Sequence, residues 1–195
     1  MRLVLASSSP RRAAVLAAAG FEFEVAAASV DESRHASEPA EAYVRRLAER
    51  KAQAVASGVV PPAIVIGADT VVELDGDVLG KPASGEDAAR MLRGLSGRTH
   101  QVLTGLAVLK IPEDVVRVEI EKTKVTFAPL QEAEITVYVA REEPLDKAGA
   151  YAIQGLGGRY ITRVEGCYFN IVGLPLARLY RILKEMGWNE RLAKH

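Results

Sequence analysis

One stretch of the sequence limits the choice of fold more than any other: AIVIGADTVVEL, from Ala63 to Leu74. It is nearly continuously apolar and rich in β-branched residues, and this pattern predicts a central strand that is buried on both faces. Only three residues interrupt the apolar pattern early in the stretch, namely Gly67, Asp69 and Thr70. The same strand is therefore a candidate both for the centre of the core and for a functional site.

Helix and strand patterns alternate along the rest of the chain. Apolar stripes with capping residues predict helices at residues 10–19, 39–57, 84–95, 130–140 and 175–186. Short apolar or alternating runs predict further strands at residues 3–6, 22–26, 78–79, 99–109 and 115–127. We find no internal repeat, and this interleaving predicts a single domain, residues 1–195, with an α/β fold around a mixed sheet.

The last long strand contains a change of parity. Val116, Val118 and Ile120 share one face, whereas Val125 and Phe127 lie on the other. A buried strand keeps its apolar residues on one face unless an extra residue is inserted. The pattern therefore predicts a β-bulge near Lys122.

Composition narrows the functional class. Lys and Arg total 25, Asp and Glu total 25, and the formal net charge is zero, which disfavours a general affinity for nucleic acid. Cys167 is the single cysteine, so no internal disulfide forms, as in proteins of a reducing cytosol. No apolar run has the length of a membrane span or a signal peptide. We expect a soluble, cytoplasmic protein with neither nucleic acid nor membrane as a partner.

The stretch ASSSPRR, residues 6–12, places charge where a helix does not favour it. Ser9 and Pro10 are typical of the N-cap and first position of a helix, so Arg11 and Arg12 lie at its positive end. A serine-rich turn before a helix is also an anion site, to which the hydroxyls of Ser7 and Ser9 add donors. The arginines either pair with acidic neighbours such as Glu32 or bind an incoming polyphosphate.

Further charged residues stand at apolar positions. Asp69 lies inside the apolar strand, where a carboxylate must be paired, bind a metal or shift its pKa; it is a candidate general base or metal ligand, or a structural Asp in a turn. Lys51 falls on the apolar stripe of its helix and either extends along the apolar surface or reaches an anion in a cleft. With Lys81 of GKP and Glu32 of VDE, these residues predict a site for a phosphorylated ligand and a divalent metal.

Eight motifs then occur in the order found in the Maf family, from Leu3 to about Leu183: LASSSPRR, VDE, LAERKAQAV, GADTVV, GKP, LSGRTHQVLTG, EPLDKAGAYAIQG and GCYFNIVGLPL. The chain resembles this family of cytosolic nucleoside triphosphate pyrophosphatases. The resemblance implies a long mixed sheet flanked by helices, in two lobes around a central cleft, as in the inosine triphosphate pyrophosphatases (the Maf/Ham1 fold). It also implies a homodimer and a requirement for Mg²⁺ or Mn²⁺.

The resemblance also implies roles for individual residues. Asp69 corresponds to the proton acceptor, Lys51 and Lys81 act with it in catalysis, and Glu32 and Asp69 handle the metal. The substrate-binding positions are Ser7, Ser9, Arg11, Arg12, Thr70 and Gln154.

The motifs ADT and AGAYAIQG are similar to those of the subfamily that hydrolyses dTTP and UTP. The expected activity is cleavage to a nucleoside monophosphate and pyrophosphate, which cleans the nucleotide pool and is linked to cell-division arrest. Modified pyrimidine nucleotides are further candidate substrates. The alternative is a nucleotide-binding regulator of septum formation without relevant turnover.

Overall fold

The computed structural model describes residues 1–141 and 143–189. Seven strands form one sheet: β1 (Arg2–Ala6), β2 (Glu24–Val25), β3 (Ala63–Leu74), β4 (Asp77–Leu79), β5 (Thr99–Ile111), β6 (Val115–Phe127) and β7 (Ile161–Glu165). The predicted bounds of the central strand are confirmed without change. The strand predicted at residues 22–26 is shorter than expected, because only Glu24 and Val25 pair with β1.

Within the described residues, six helices surround the sheet: α1 (Pro10–Ala18), α2 (Ala40–Ala56), α3 (Gly85–Leu95), α4 (Glu132–Val139), α5 (Tyr168–Val172) and α6 (Leu176–Glu185). All five predicted helices are confirmed within two residues at each end. The glycine-rich region between α4 and α5 contains three 3₁₀ turns, Glu143–Asp146, Ala148–Ala150 and Leu156–Tyr160. In the described residues, no helix is long and apolar enough to cross a membrane.

The sheet is mixed, with the order β2-β1-β3-β5-β6-β7, and β3 lies at its centre. On one side β3 pairs with the long antiparallel β5 from Ala63 to Glu73. On the other side it pairs first with parallel β1, as far as Gly67, and then with antiparallel β4, from Val72 onward. Among the described strands, none covers residues 68–71 on that side, and we refer to this interruption as the sheet gap.

Helices cover both faces of the sheet. Val65 packs with Ala48 and Ala52 of α2 on one face. Ile64 and Ile66 pack with α1 and α6 on the other face. This alternation along β3 is the two-residue period of a strand, and it confirms the α/β fold predicted from the doubly buried apolar run.

The predicted bulge near Lys122 is wrong. The pairing of β6 with β5 continues through Lys122 without a shift, and the one irregularity is at Thr126/Phe127, facing β7. The parity changes because β6 contributes to two cores at its two ends. Val116 and Val118 pack with α2, whereas Val125 and Phe127 pack with α3 and α4 on the opposite face.

Two glycines let α2 lie unusually close to the sheet. A Cβ atom at Gly67 of β3 would lie 2.2 Å from the carbonyl oxygen of Ala48, and one at Gly105 of β5 would lie 2.2 Å from that of Val44. Side-chain carbons do not approach backbone oxygen so closely, so both positions require glycine for packing reasons. The close contact fixes the height of α2 above the sheet, and with it the position of Lys51.

Candidate active site

A cavity of about 610 Å³ opens at the sheet gap. Consecutive residues of a strand point to opposite faces, yet both Asp69 and Thr70 line this cavity. The gap explains why: where no strand covers β3, the cavity reaches around the strand to both faces. It is closed by the Ser-rich turn before α1, by the segment after β4, and by the 3₁₀ turns that follow α4.

Asp69 and Lys51 form a buried ion pair on the face covered by α2. Each residue is 8 % exposed, and Lys51 Nζ donates to Asp69 Oδ1 at 2.7 Å. A second carboxylate oxygen, Glu32 Oε1, also lies 2.7 Å from the same ammonium. Lys51 therefore reaches a cleft and is paired there, as one of the two interpretations of its position predicted.

The loop that carries Glu32 is attached to the outer surface of α2. Tyr43 of α2 donates its hydroxyl hydrogen to the Glu32 carbonyl oxygen at 2.7 Å. Arg46 donates to both carboxylate oxygens of Glu38, at 2.7 and 2.6 Å, and to the Ser33 carbonyl oxygen at 3.0 Å. These bonds hold the Glu32 backbone close to Lys51, although the Glu32 side chain itself is exposed.

The environment of Asp69 favours a proton acceptor. Burial raises the pKa of Asp69 above its ordinary value, while the nearby ammonium of Lys51 acts in the opposite direction. A carboxylate with a raised pKa is a stronger base than a solvated one. The pairing with Lys51 stabilises its ionised form, in which it can accept a proton.

Arg12 occupies the opposite face of β3. Its guanidinium donates to the Gly173 carbonyl oxygen at 2.8 Å, to Ser7 Oγ at 3.0 Å and to Thr70 Oγ1 at 3.1 Å. All three acceptors are uncharged, and within the described residues no carboxylate oxygen lies within 4 Å of Arg12. The alternative that the arginines pair with acidic neighbours is therefore wrong for Arg12, and Glu32 pairs with Lys51 instead. It is confirmed for Arg11, whose acidic partner is Asp146 and not Glu32.

The other predicted residues line the same cavity with fewer partners. Arg11 Nη1 lies 3.2 Å from Asp146 Oδ2, an exposed carboxylate. The backbone N–H of Ser9, at the start of α1, donates to Ser7 Oγ at 3.2 Å, which shapes the turn. Lys81 and Gln154 are exposed side chains at the cavity wall.

Comparisons with known proteins identify the family of this chain. A family model described as "Maf-like protein" matches residues 2–186. The chain belongs to the Maf family. A relative from Anaeromyxobacter sp. (strain Fw109-5), named dTTP/UTP pyrophosphatase, is 53% identical over 189 residues, which cover 95% of this chain and 90% of the relative. A relative of the same name from Geobacillus sp. (strain WCH70) is 50% identical over 187 residues, which cover 96% of this chain and 99% of the relative.

A solved structure supports the fold of this Maf chain. The Ham1 protein of Staphylococcus aureus superposes with a TM-score of 0.54 at 16% identity, covering 95% of this chain and 100% of that protein. The mixed sheet flanked by helices is thus confirmed as the Maf/Ham1 type. The division into two lobes stays a prediction.

All ten residues predicted for the site of the Maf chain line the one cavity: Ser7, Ser9, Arg11, Arg12, Glu32, Lys51, Asp69, Thr70, Lys81 and Gln154. Sequence reasoning missed several others that line it, Arg34, Tyr43, Asp146, Lys147 and Tyr151. The motif EPLDKAGAYAIQG holds three of these, and its adjacent acidic and basic residues were a usable signal. The sequence contains no such signal for Arg34 or Tyr43, since single polar residues in a loop or a helix are common.

Two carboxylates of the Maf chain fit the predicted divalent metal. Glu32 and Asp69 both lie against one ammonium, so they are close enough to share a cation. Mg²⁺ in nucleotide enzymes is held by one or two carboxylates together with phosphate oxygens. Within residues 1–141 and 143–189, no group of three or more His, Cys, Asp or Glu is arranged to hold a metal. The donor set therefore suits a cation that arrives with phosphate.

A buried histidine supports the cavity wall from behind. His100 is 2 % exposed, and its Nε2 lies 2.8 Å from the hydroxyl of Tyr151, which lines the cavity. Its ring also packs edge-to-face against the ring of Phe127, with 5.2 Å between the two ring centroids. Burial lowers the pKa of His100 from 6.5 to about 4.

This histidine makes stability depend on pH. Because the folded pKa lies below the unfolded value, the unfolded chain binds more protons between pH 6.5 and 4, and stability falls as pH falls through that window. We expect the free energy of unfolding to drop by about 2–3 kcal/mol from pH 7.5 to 4.5 through His100 alone. Urea unfolding of the wild type and of His100→Gln at both pH values measures it, since the variant lacks this component.

The exposed His35 provides the matched control. His35→Gln should keep the wild-type pH dependence. Equal pH dependence in the wild type and His100→Gln would contradict a neutral, buried imidazole at position 100.

Proposed function

We propose that this Maf protein is a nucleoside triphosphate pyrophosphatase that hydrolyses dTTP and UTP. The products are the nucleoside monophosphate and pyrophosphate, and the role is to remove nucleotides from the pool. The near full-length relatives at 50% and 53% identity carry that activity in their names.

One observation of the site carries the proposal: a single cavity joins unpaired cationic groups, a buried carboxylate and an exposed carboxamide. Arg12 carries a charge that no carboxylate of the described residues neutralises within 4 Å, and the same is true of Lys81. A triphosphate supplies the missing negative charge. Gln154, with a donor and an acceptor, suits the N3–H and O4 of uracil or thymine.

The chain's residues divide the chemistry between them. Arg11, Arg12, Lys51 and Lys81 bind the phosphate oxygens and stabilise the charge that develops in the transition state. The serine turn adds the hydroxyls of Ser7 and Ser9 as further donors. Asp69 accepts a proton from the water that attacks the α-phosphorus. The bond between the α-phosphorus and the oxygen that bridges it to the β-phosphorus breaks, and pyrophosphate leaves with that oxygen.

A divalent cation belongs to this proposal, with Glu32 and Asp69 as the residues that would hold it. When bound, such a cation neutralises phosphate charge and lowers the pKa of a water molecule. Lys51 lies between the two carboxylates, and its ammonium can turn to phosphate when they take a cation. The homodimer and the cytoplasmic location also remain proposals, supported by the resemblance to the family.

The bond that breaks is the first test. With Mg²⁺, we expect UTP and dTTP to give monophosphate and pyrophosphate in equal amounts, measured by anion-exchange chromatography. In H₂¹⁸O the label should enter UMP, because water attacks the α-phosphorus. The β,γ-methylene analogue of UTP should be cleaved and the α,β-methylene analogue should resist.

Other product patterns separate the alternatives. Orthophosphate with UDP would contradict the proposed reaction. Tight UTP binding with no turnover under Mg²⁺ or Mn²⁺ would instead support the nucleotide-binding regulator.

A further inference from the structure

A glutamate outside the proposed catalytic groups holds the loop that presents Gln154. Glu143 lies in the first 3₁₀ turn after α4, eleven residues before Gln154 in the chain. Its carboxylate accepts from the backbone N–H of Leu156 at 3.2 Å and of Gly157 at 3.3 Å. The loop therefore curls around this one carboxylate on the C-terminal side of Gln154.

A buried tyrosine completes the arrangement on the other side of Gln154. Tyr138 of α4 is fully buried, and its hydroxyl donates to Glu143 Oε1 at 2.9 Å. The same hydroxyl accepts from the backbone N–H of Ala152 at 3.2 Å. Glu143 and Tyr138 thus fix the backbone on both sides of Gln154, two residues before it and two and three residues after it.

Two glycines of the loop lie in close contact with these two side chains. Gly155 has φ +136°, and a Cβ there would lie 2.8 Å from Glu143 Oε1. A Cβ at Gly157 would lie 2.5 Å from the Tyr138 hydroxyl oxygen. Gly155 and Gly157 therefore leave room for the glutamate and the tyrosine, and a Cβ at Gly157 would also lie 2.6 Å from the Ala152 carbonyl oxygen.

The loop is part of the cavity wall. Tyr151, Ala152, Ile153 and Gln154 all line the cavity, while Glu143 does not. Glu143 therefore acts on a ligand through the loop and not by contact. Its neighbour Asp146, in the same 3₁₀ turn, accepts from Arg11 through its own carboxylate, so this contact with the cationic end of the site does not involve the Glu143 side chain.

We propose that Glu143 is a positioning residue for base recognition, which holds the 152–157 loop so that Gln154 meets the base of the nucleotide. This inference rests on the proposed function. It predicts that Glu143 affects affinity for the base and leaves affinity for the phosphate chain unchanged. A purely structural residue would affect both or neither.

The test compares a nucleotide with its phosphate chain alone. Dissociation constants of UTP and of inorganic tripolyphosphate are measured by titration calorimetry in EDTA, for the wild type and for Glu143→Gln. The amide offers one acceptor oxygen and sets its own N–H groups against the loop's donors. We expect UTP to bind about tenfold more weakly and tripolyphosphate to bind as before.

A double-mutant cycle links the effect to Gln154. In a Gln154→Ala background, Glu143→Gln should change UTP affinity by less than about twofold, because the group that it positions is gone. Glu132→Gln is the matched control: it makes the same change at the start of α4, where Glu132 bonds Arg93 and not the loop. It should bind both ligands like the wild type.

A second variant keeps the test valid if Glu143→Gln does not fold. Tyr138→Phe removes the hydroxyl that links Glu143 to Ala152 and should weaken UTP about threefold, with tripolyphosphate unchanged. Equal losses for UTP and tripolyphosphate, unchanged UTP affinity, or a wild type that binds UTP no better than tripolyphosphate would each overturn the inference. Failure of UTP cleavage in the product assay is a separate result and contradicts the proposed function alone.

Discussion

Asp69→Asn should lower the rate of UTP hydrolysis by about 10²–10⁴-fold while leaving the fold intact. The carboxamide has nearly the same shape as the carboxylate, so the packing at this buried position is kept. It cannot accept a proton, and it loses the charge that faces Lys51 at 2.7 Å. Because Glu32 still pairs with Lys51, the ammonium is not left without a partner.

The measurement is kcat for UTP with saturating Mg²⁺, together with circular dichroism and a thermal melt. Glu73→Gln is the matched control, since Glu73 lies on the same strand, four residues further on, and does not line the cavity. It should keep kcat within about twofold of the wild type. An Asp69→Asn protein with more than a third of the wild-type rate would remove Asp69 from the chemistry.

The second large effect is expected at Gly67, where alanine should destabilise the protein by about 3 kcal/mol or more. The new Cβ would lie 2.2 Å from the carbonyl oxygen of Ala48 and 2.8 Å from the backbone nitrogen of Ala52. Both contacts are with backbone of α2, so the helix must move as a whole. Lys51 lies between those two residues in the sequence, and its pairing with Asp69 would be disturbed.

A melting temperature lower by about 10 °C and a reduced rate of UTP hydrolysis are the expected readouts. Gly94→Ala is the matched control, because its Cβ would meet only a side-chain carbon of Leu74 at 3.8 Å inside helix α3. That change should be neutral or stabilise by about 0.5–1 kcal/mol. A Gly67→Ala protein that melts with the wild type would show that α2 does not lie as close to β3 as described.

The central strand and the helices could be predicted because their signals are local. The apolar run that predicts β3 lies within one short segment of the sequence. The same is true of the apolar stripe of α2 and of the glycine and proline residues that end it. The bulge near Lys122 was wrongly predicted from an equally local rule. That rule assumes one buried face per strand, whereas β6 packs against α2 at one end and against α3 and α4 at the other.

The same distinction between local and distant signals applies to the residues of the site. The residues that break a local rule, such as Arg12 at a positive helix end and Lys51 on an apolar stripe, could be found from the sequence. Their partners could not, because the Lys51–Glu32 pair and the bonds of Arg12 join distant segments. The role of Gly105 was also out of reach, since it depends on how near a helix from another part of the chain lies.

The sheet gap has a consequence for how binding and folding are linked. A polyphosphate that binds there as proposed would contact Lys51 on the side of α2 and Arg12 on the side of α1, and would so link the helical layers on the two faces of the sheet. Separation of either layer releases the molecule, and a bound molecule opposes that separation. Occupancy of the cavity and resistance to unfolding are therefore linked equilibria, and each rises with the other.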